Sequence, residues 1–225
     1  LKLAVDLDRR PGRFVLTGSA NLLRVPGSED SLAGRALTLR LQPFSQGEIE
    51  QRVDDWVTRL SADPAGAIGR QPDRGDIVGR MVRGGYPAVQ GLSPRAMGLW
   101  LKGYADRLLE RDSADLGTLQ VPVLRRLLML VAAAPGAELV LERFAETLGV
   151  ARSTVQRYLD ILEALFITTT LPQWSRSLTS RQTRRAKCYV TDSGLLAALN
   201  NHTAERLLSP LGVDHLGGVV ETFVV

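Results

Sequence analysis

The chain has 225 residues, 44% of them apolar and 23% charged, a balance that fits a globular protein and excludes a disordered one. Aromatics are only 5%, so Leu, Val and Ala must fill most of the core; 28 Lys plus Arg against 24 Asp plus Glu leave +4, too little to define a nucleic-acid partner by itself. A single cysteine, Cys188, and two histidines outside any H-x-x-x-H spacing, His202 and His215, exclude a disulfide framework and argue against a dedicated Cys- or His-based metal site. No apolar run reaches the roughly 20 residues of a membrane helix and no signal peptide is evident, so the expected compartment is the reducing cytoplasm, with no membrane partner.

In chain order, the sequence opens without Met on the amphipathic Leu1-Lys2-Leu3-Ala4-Val5-Asp6 and stops on the apolar run Glu221-Thr222-Phe223-Val224-Val225. It therefore reads as a piece of a longer protein. Pro11-Gly12 marks a turn. Arg13-Phe14-Val15-Leu16-Thr17 reads as a short buried strand ending at Gly18-Ser19, followed by a helix from Ser19 and an alternating strand, Leu37-Thr38-Leu39-Arg40-Leu41. That order suggests part of a parallel α/β sheet whose other strands lie upstream. Ser45 with Glu48 three residues on is a capping box, opening a helix predicted over 45–60. Pro64, Gly66, Gly69, Pro72, Gly75 and Gly79 mark 61–80 as a linker and place a domain boundary there. Gly84-Gly85-Tyr86-Pro87 is a turn, 93–113 a helix carrying Trp100, Tyr104, Leu108 and Leu109, and 122–134 a second helix stopped by Pro135-Gly136.

The most informative stretch follows. A short helix over 139–148 buries Leu141, Phe144, Ala145 and Leu148. Gly149-Val150-Ala151 turns the chain, and Ser153 is expected to cap a second helix over 154–165, with Val155, Tyr158, Leu159, Leu162 and Leu165 on its apolar face. Strands 166–172 and 187–192, joined by about 14 residues, complete a winged helix-turn-helix. Between Ala164 and Thr191 there is no acidic residue, while Arg176, Arg181, Arg184, Arg185 and Lys187 are all positive. With Arg152 and Arg157 on the second helix, these residues could meet the phosphates and base edges of double-stranded DNA. A solvated surface, or a wing packed on acidic protein, fits the same charges.

Neither G-x-x-x-x-G-K-[ST] nor G-x-G-x-x-G occurs, so the chain alone lacks the phosphate cradle and lysine of a nucleotide site and is expected not to hydrolyse ATP. Yet a series of segments runs in order along nearly the whole chain. It comprises Leu16-Thr17-Gly18-Ser19, Ser31-Leu32-Ala33-Gly34-Arg35, Leu41-Gln42-Pro43-Phe44-Ser45, Gly84-Gly85-Tyr86-Pro87, Leu109-Glu110-Arg111-Asp112, Leu148-Gly149-Val150 with Ser153-Thr154-Val155, Tyr189-Val190-Thr191-Asp192-Ser193-Gly194-Leu195 and Glu221-Thr222-Phe223-Val224. Together these resemble the prokaryotic AAA-type ATP-binding proteins in which a P-loop domain precedes a winged helix and a C-terminal domain of unknown function.

The resemblance implies a mixed α/β, mostly helical fold: the remnant of a parallel P-loop sheet in 1–60, a linker and helical connector in 61–135, a winged helix in 136–200 and the start of a further domain in 201–225. It implies ATP and Mg as cofactors of the longer protein. Thr17 or Ser19 would sense the γ-phosphate, and Arg35 would be an arginine finger acting in its own subunit or in a neighbour, which makes a homo-oligomer plausible. A simpler Thr-Gly-Ser helix cap, and a surface Arg35 paired with a local carboxylate, remain open. So do two other functions: a winged-helix transcription regulator using 1–60 as a dimerisation or ligand module, and an adaptor whose wing binds an acidic protein. Asp112 and Asp192 read as capping or turn residues, Cys188 and Trp100 as core, and Trp174 as an anchor of the wing.

Overall fold

The computed structural model describes residues 2–18, 34–53, 55–64, 72–112, 120–174, 176 and 185–225. Helices dominate: α1 (Lys2–Leu7), α2 (Gln46–Ile49), α3 (Trp56–Ala62), α4 (Arg74–Arg83), α5 (Pro94–Arg107), α6 (Val121–Ala133), α7 (Leu141–Leu148), α8 (Arg152–Ala164), α9 (Ser193–Leu199), α10 (Ala204–Leu208) and α11 (Val213–Val224). The strands are β1 (Thr168–Leu171) and β2 (Lys187–Val190), which pair with each other. Two units result: residues 1–41, 104–131 and 138–188 form one, and residues 42–103, 132–137 and 189–225 form the other.

In the first unit, α7 and α8 pack on each other and α8 packs on β1. The helical period explains why: Val155, Tyr158, Leu159, Ile161 and Leu162 fall on one side of α8 and are all buried. Leu124, Leu127 and Leu128 of α6 are equally buried. Gly149 ends α7 at φ 68°, ψ 34°, the left-handed conformation that glycine adopts without strain. The second helix then starts earlier than the sequence suggests. Ala151 is its N-cap and offers no side-chain bond, while Ser153 sits inside the first turn, because the amide of Thr154 already bonds the Ala151 carbonyl at 2.9 Å.

In the second unit, α4 packs against α9 and α10, and α11 packs against α9, α10 and α4. Asp73 caps α4 by accepting from the Gly75 amide at 2.8 Å, so the glycine-rich stretch read as linker turns helical from Arg74. Asp192 organises the rest. Its carboxylate is 4% exposed and accepts backbone N–H bonds from Gly85 at 2.7 Å and Leu195 at 2.8 Å, and a further one from Gly194. One side chain thereby caps α9 and fastens the turn after α4 to it. The turn is glycine for a reason. Gly84 has φ 68°, and a Cβ there would meet both the Asp192 carboxylate and the Gly194 amide; one on Gly194 would meet the Arg83 carbonyl. Gly85 in turn accepts from the Phe44 amide at 2.7 Å.

The predicted helix over 45–60 is two helices. The Ser45–Glu48 capping box forms as expected, but Gln51 turns left-handed at φ 54° and the Arg52 amide closes on the Gly47 carbonyl at 2.7 Å, which stops the first helix after one turn. The strands predicted at 13–17 and 37–41 are unpaired among the described residues, and no parallel strand pair occurs there. A strand forms only where a neighbour takes up its backbone N–H and C=O groups. The helix predicted from Ser19 lies outside the described residues.

Burial pushes the Asp192 carboxyl up from its ordinary range, against the opposing pull of the three N–H donors. Asp192→Asn replaces one acceptor oxygen with an NH₂ facing backbone donors. It is expected to destabilise the chain by about 2–3 kcal/mol in urea unfolding, with Gly84→Ala losing at least about 1 kcal/mol. Wild-type midpoints in both variants would contradict this account.

Candidate nucleotide-edge segment and nucleic-acid interface

Arg35 follows Gly34, which turns at φ 68°. Its Nε donates to Asp6 Oδ1 of α1 at 2.7 Å, with both side chains about one-third exposed. The local carboxylate is thus present and engaged. Arg13 engages the C-terminal end of α1 as well, donating from Nη1 to the carbonyls of Ala4 at 3.0 Å and Asp8 at 2.9 Å. Arg10 holds the Asp8 carboxyl below its ordinary range. Thr17 is exposed and outside any helix or strand, and Ser19 lies outside the described residues. Farther along, the Arg40 guanidinium lies 4.8 Å above the Phe166 ring. Phe166 itself sits at φ 56°, just after α8.

Around these residues runs an unusual exposure of apolar side chains: Val15 at 86%, Leu37 at 86%, Leu39 at 79% and Leu41 at 93%. Among the described residues no three His, Cys, Asp or Glu side chains group to hold a metal ion. With no P-loop in the sequence, the residues present do not by themselves make a nucleotide site.

The outward side of α8 carries Arg152, Ser153, Gln156, Arg157 and Asp160, all exposed. It is electrically balanced. Arg152 Nε bonds Glu142 of α7 at 2.7 Å, and Gln156 donates to Asp160 at 2.9 Å. The Glu142 carboxyl is held low, first by its own helix-terminal amide and then by Arg152. Arg157 lies 5.5 Å over the neighbouring Tyr158 ring. The Glu142 partner of Arg152 had no sequence signature, because the 142/152 spacing crosses a turn, whereas Gln156 and Asp160 stand four apart on one helix face.

The basic stretch is different. Arg176 is exposed, Arg185 stands 3.9 Å from Glu138, and Lys187 is half-buried on β2 with its backbone bridged to Glu138. Arg181 and Arg184 lie outside the described residues. The structure overturns one expectation outright: Trp174, read as the wing's anchor, is 73% exposed. Cys188 is buried as expected, Trp100 is half-buried and tilted against Tyr86, and the Asp112 side chain lies outside what is described.

A pairing that the sequence spacing hid is His202 with His215, whose ring centroids are 4.9 Å apart. Burial, then the charges of His215 and Arg206, pull the His202 pKa below its ordinary 6.5. The unfolded chain therefore binds this proton at a pH where the folded chain does not, so stability is lost as pH falls below about 6.5. His202→Gln should flatten the decline in urea midpoint between pH 7.5 and 5.5; an unchanged slope would remove His202 as its source.

Comparison with known proteins bears on both regions. Residues 1–50 match an AAA domain. Residues 74–206 match the domain of unknown function DUF8612, more than half of the chain, and the chain belongs to that family. Two uncharacterized proteins, from Mycobacterium bovis and Mycobacterium tuberculosis, are each 30% identical over 201 residues, covering 88% of this chain and 40% of the relative. The chain thus spans about two-fifths of the length of these relatives. No solved structure matches it. No helix among the described residues is long and apolar enough to cross a membrane.

Proposed function

We propose that the chain is the distal part of a longer AAA-type ATPase, in which residues 1–50 complete a nucleotide-binding domain and the family domain contacts DNA. The observation that carries this reading is the exposure of Val15, Leu37, Leu39 and Leu41 within the stretch that matches an AAA domain. The apolar side chains of a strand are buried by the layer that packs on that face of its sheet. Side chains of that kind left in water at 79–93% exposure suit strands whose sheet neighbours belong to the remaining length of the protein. ATP and Mg would be held by that remaining length. Thr17 and Ser19 would stand at its rim, and Arg35 would supply positive charge to the phosphoryl group after leaving Asp6. In a protein extended to the relatives' length, Arg35→Ala should lower ATP hydrolysis on the order of 10³-fold with nucleotide binding retained. Hydrolysis at the wild-type rate would remove the finger.

In the same reading α7, α8, β1 and β2 form a winged helix. With the outward face of α8 balanced by Glu142 and Asp160, the attraction to duplex DNA falls on the basic stretch 176–187, which favours phosphate contact over base readout. Binding to a random duplex is expected to weaken steeply with salt. Exchanging Arg181, Arg184 and Arg185 for Gln together should cut the slope of log affinity against log salt by about 2–3. Binding that ignores these exchanges would favour the adaptor function instead.

A further inference from the structure

Trp174 is a large aromatic ring standing 73% in water on the leg of the hairpin that leads into the basic stretch. The residue before it and the opposite leg of the hairpin meet at one carboxylate. Glu138 Oε1 accepts from Gln173 Nε2 at 3.4 Å, and Glu138 Oε2 stands 3.9 Å from Arg185 Nη1. Glu138 is itself held in place by the backbone: it bridges Lys187, and the next amide, Leu139, bonds the Ala186 carbonyl at 2.8 Å. Gln173 and Arg185, on the two legs of the hairpin, are thereby drawn to one carboxylate, and Trp174 is the residue after Gln173. Arg176 follows two residues on and is exposed. Leu171, at the end of β1, adds a further exposed apolar side chain.

We propose that Trp174 is a stacking platform for an unpaired base of a nucleic-acid strand whose phosphates are taken by Arg176 and Arg185. The proposal rests on the nucleic-acid reading given above and assigns its ligand class. An indole offers a π-face to any base, and flanking guanidinium groups follow the backbone, which is how single strands are held without sequence preference. A base inside a duplex is stacked on both faces and has none to offer, so the ring adds affinity only where bases are unpaired. The charge argues for nucleic acid over an apolar protein partner. Nothing between Ala164 and Thr191 is acidic, and Glu138 supplies the carboxylate at the base of the hairpin.

The test uses the 225-residue chain with fluorescently labelled dT20 and a random 20-base-pair duplex, read by anisotropy and by tryptophan quenching. Trp174→Ala, an exchange at an exposed position whose folding is checked by circular dichroism, should weaken dT20 binding roughly 5- to 100-fold with an unchanged salt slope. Duplex binding should change less than twofold. Trp174→Phe should restore most of the dT20 affinity and lose the quenching contributed by this indole. If Trp174→Ala binds dT20 as wild type does, or weakens dT20 and duplex equally, the stacking platform falls while duplex contact stands. If the wild-type chain binds neither oligonucleotide at low salt, the nucleic-acid reading falls with it.

Discussion

One buried carboxylate holds the second unit together. Asp192 lies between the end of β2 and the start of α9, and its oxygens are shared among the amides of Gly85, Gly194 and Leu195. A carboxylate out of water is costly unless its lone pairs are satisfied, and three backbone donors satisfy this one. The arrangement also sets how closely α4 and α9 approach, because Gly84 and Gly194 leave no room for a side chain between the two backbones. The small and apolar residues of α9 follow from that closeness: from Ser193 to Ala198 every one is buried. The two motifs Gly84-Gly85-Tyr86-Pro87 and Thr191-Asp192-Ser193-Gly194-Leu195 are thus halves of one contact.

The first unit depends on a different device. Gly149 reverses the chain so that α7 and α8 can bury a shared apolar seam, and Glu138 ties the two legs of the hairpin that follows. Acidic side chains in this unit do positional work. Glu142 holds Arg152, Glu138 stands against Arg185, and Asp160 takes the Gln156 amide. The helix face most suggestive of groove reading is therefore the more neutral one. Positive charge is left to the stretch that follows β1, where Trp174 and Arg176 are turned to solvent.

At the N-terminal end the chain shows strong apolar patterning without burial. Leu37, Leu39 and Leu41 alternate as a strand does, yet each stands largely in water. Arg35 and Arg40 nonetheless tie this segment back, the first to Asp6 of α1 and the second to the Phe166 ring after α8. Residues 35–40 are thus held to α1 and to the residue just after α8 by side-chain contacts as well as by the chain.

What was legible beforehand was what short-range physics fixes. Periodic apolar positions gave α5 to α8, the Ser45–Glu48 spacing gave its capping box, and Asp192 read as a cap. The misplaced features depend on neighbours far along the chain. An apolar alternating run cannot tell whether a partner strand will lie beside it, so 13–17 and 37–41 read as strands and are not paired among the described residues. Glycine spacing made 74–80 look like a linker, although Asp73 caps a helix there whose buried face packs on α9. The partners of Arg35, Arg152 and Arg185, the second role of Asp192 at Gly85, and the exposure of Trp174 come from contacts that no local pattern encodes. Local sequence chose the elements; which charges are quenched and which ring meets water was decided only when those elements packed.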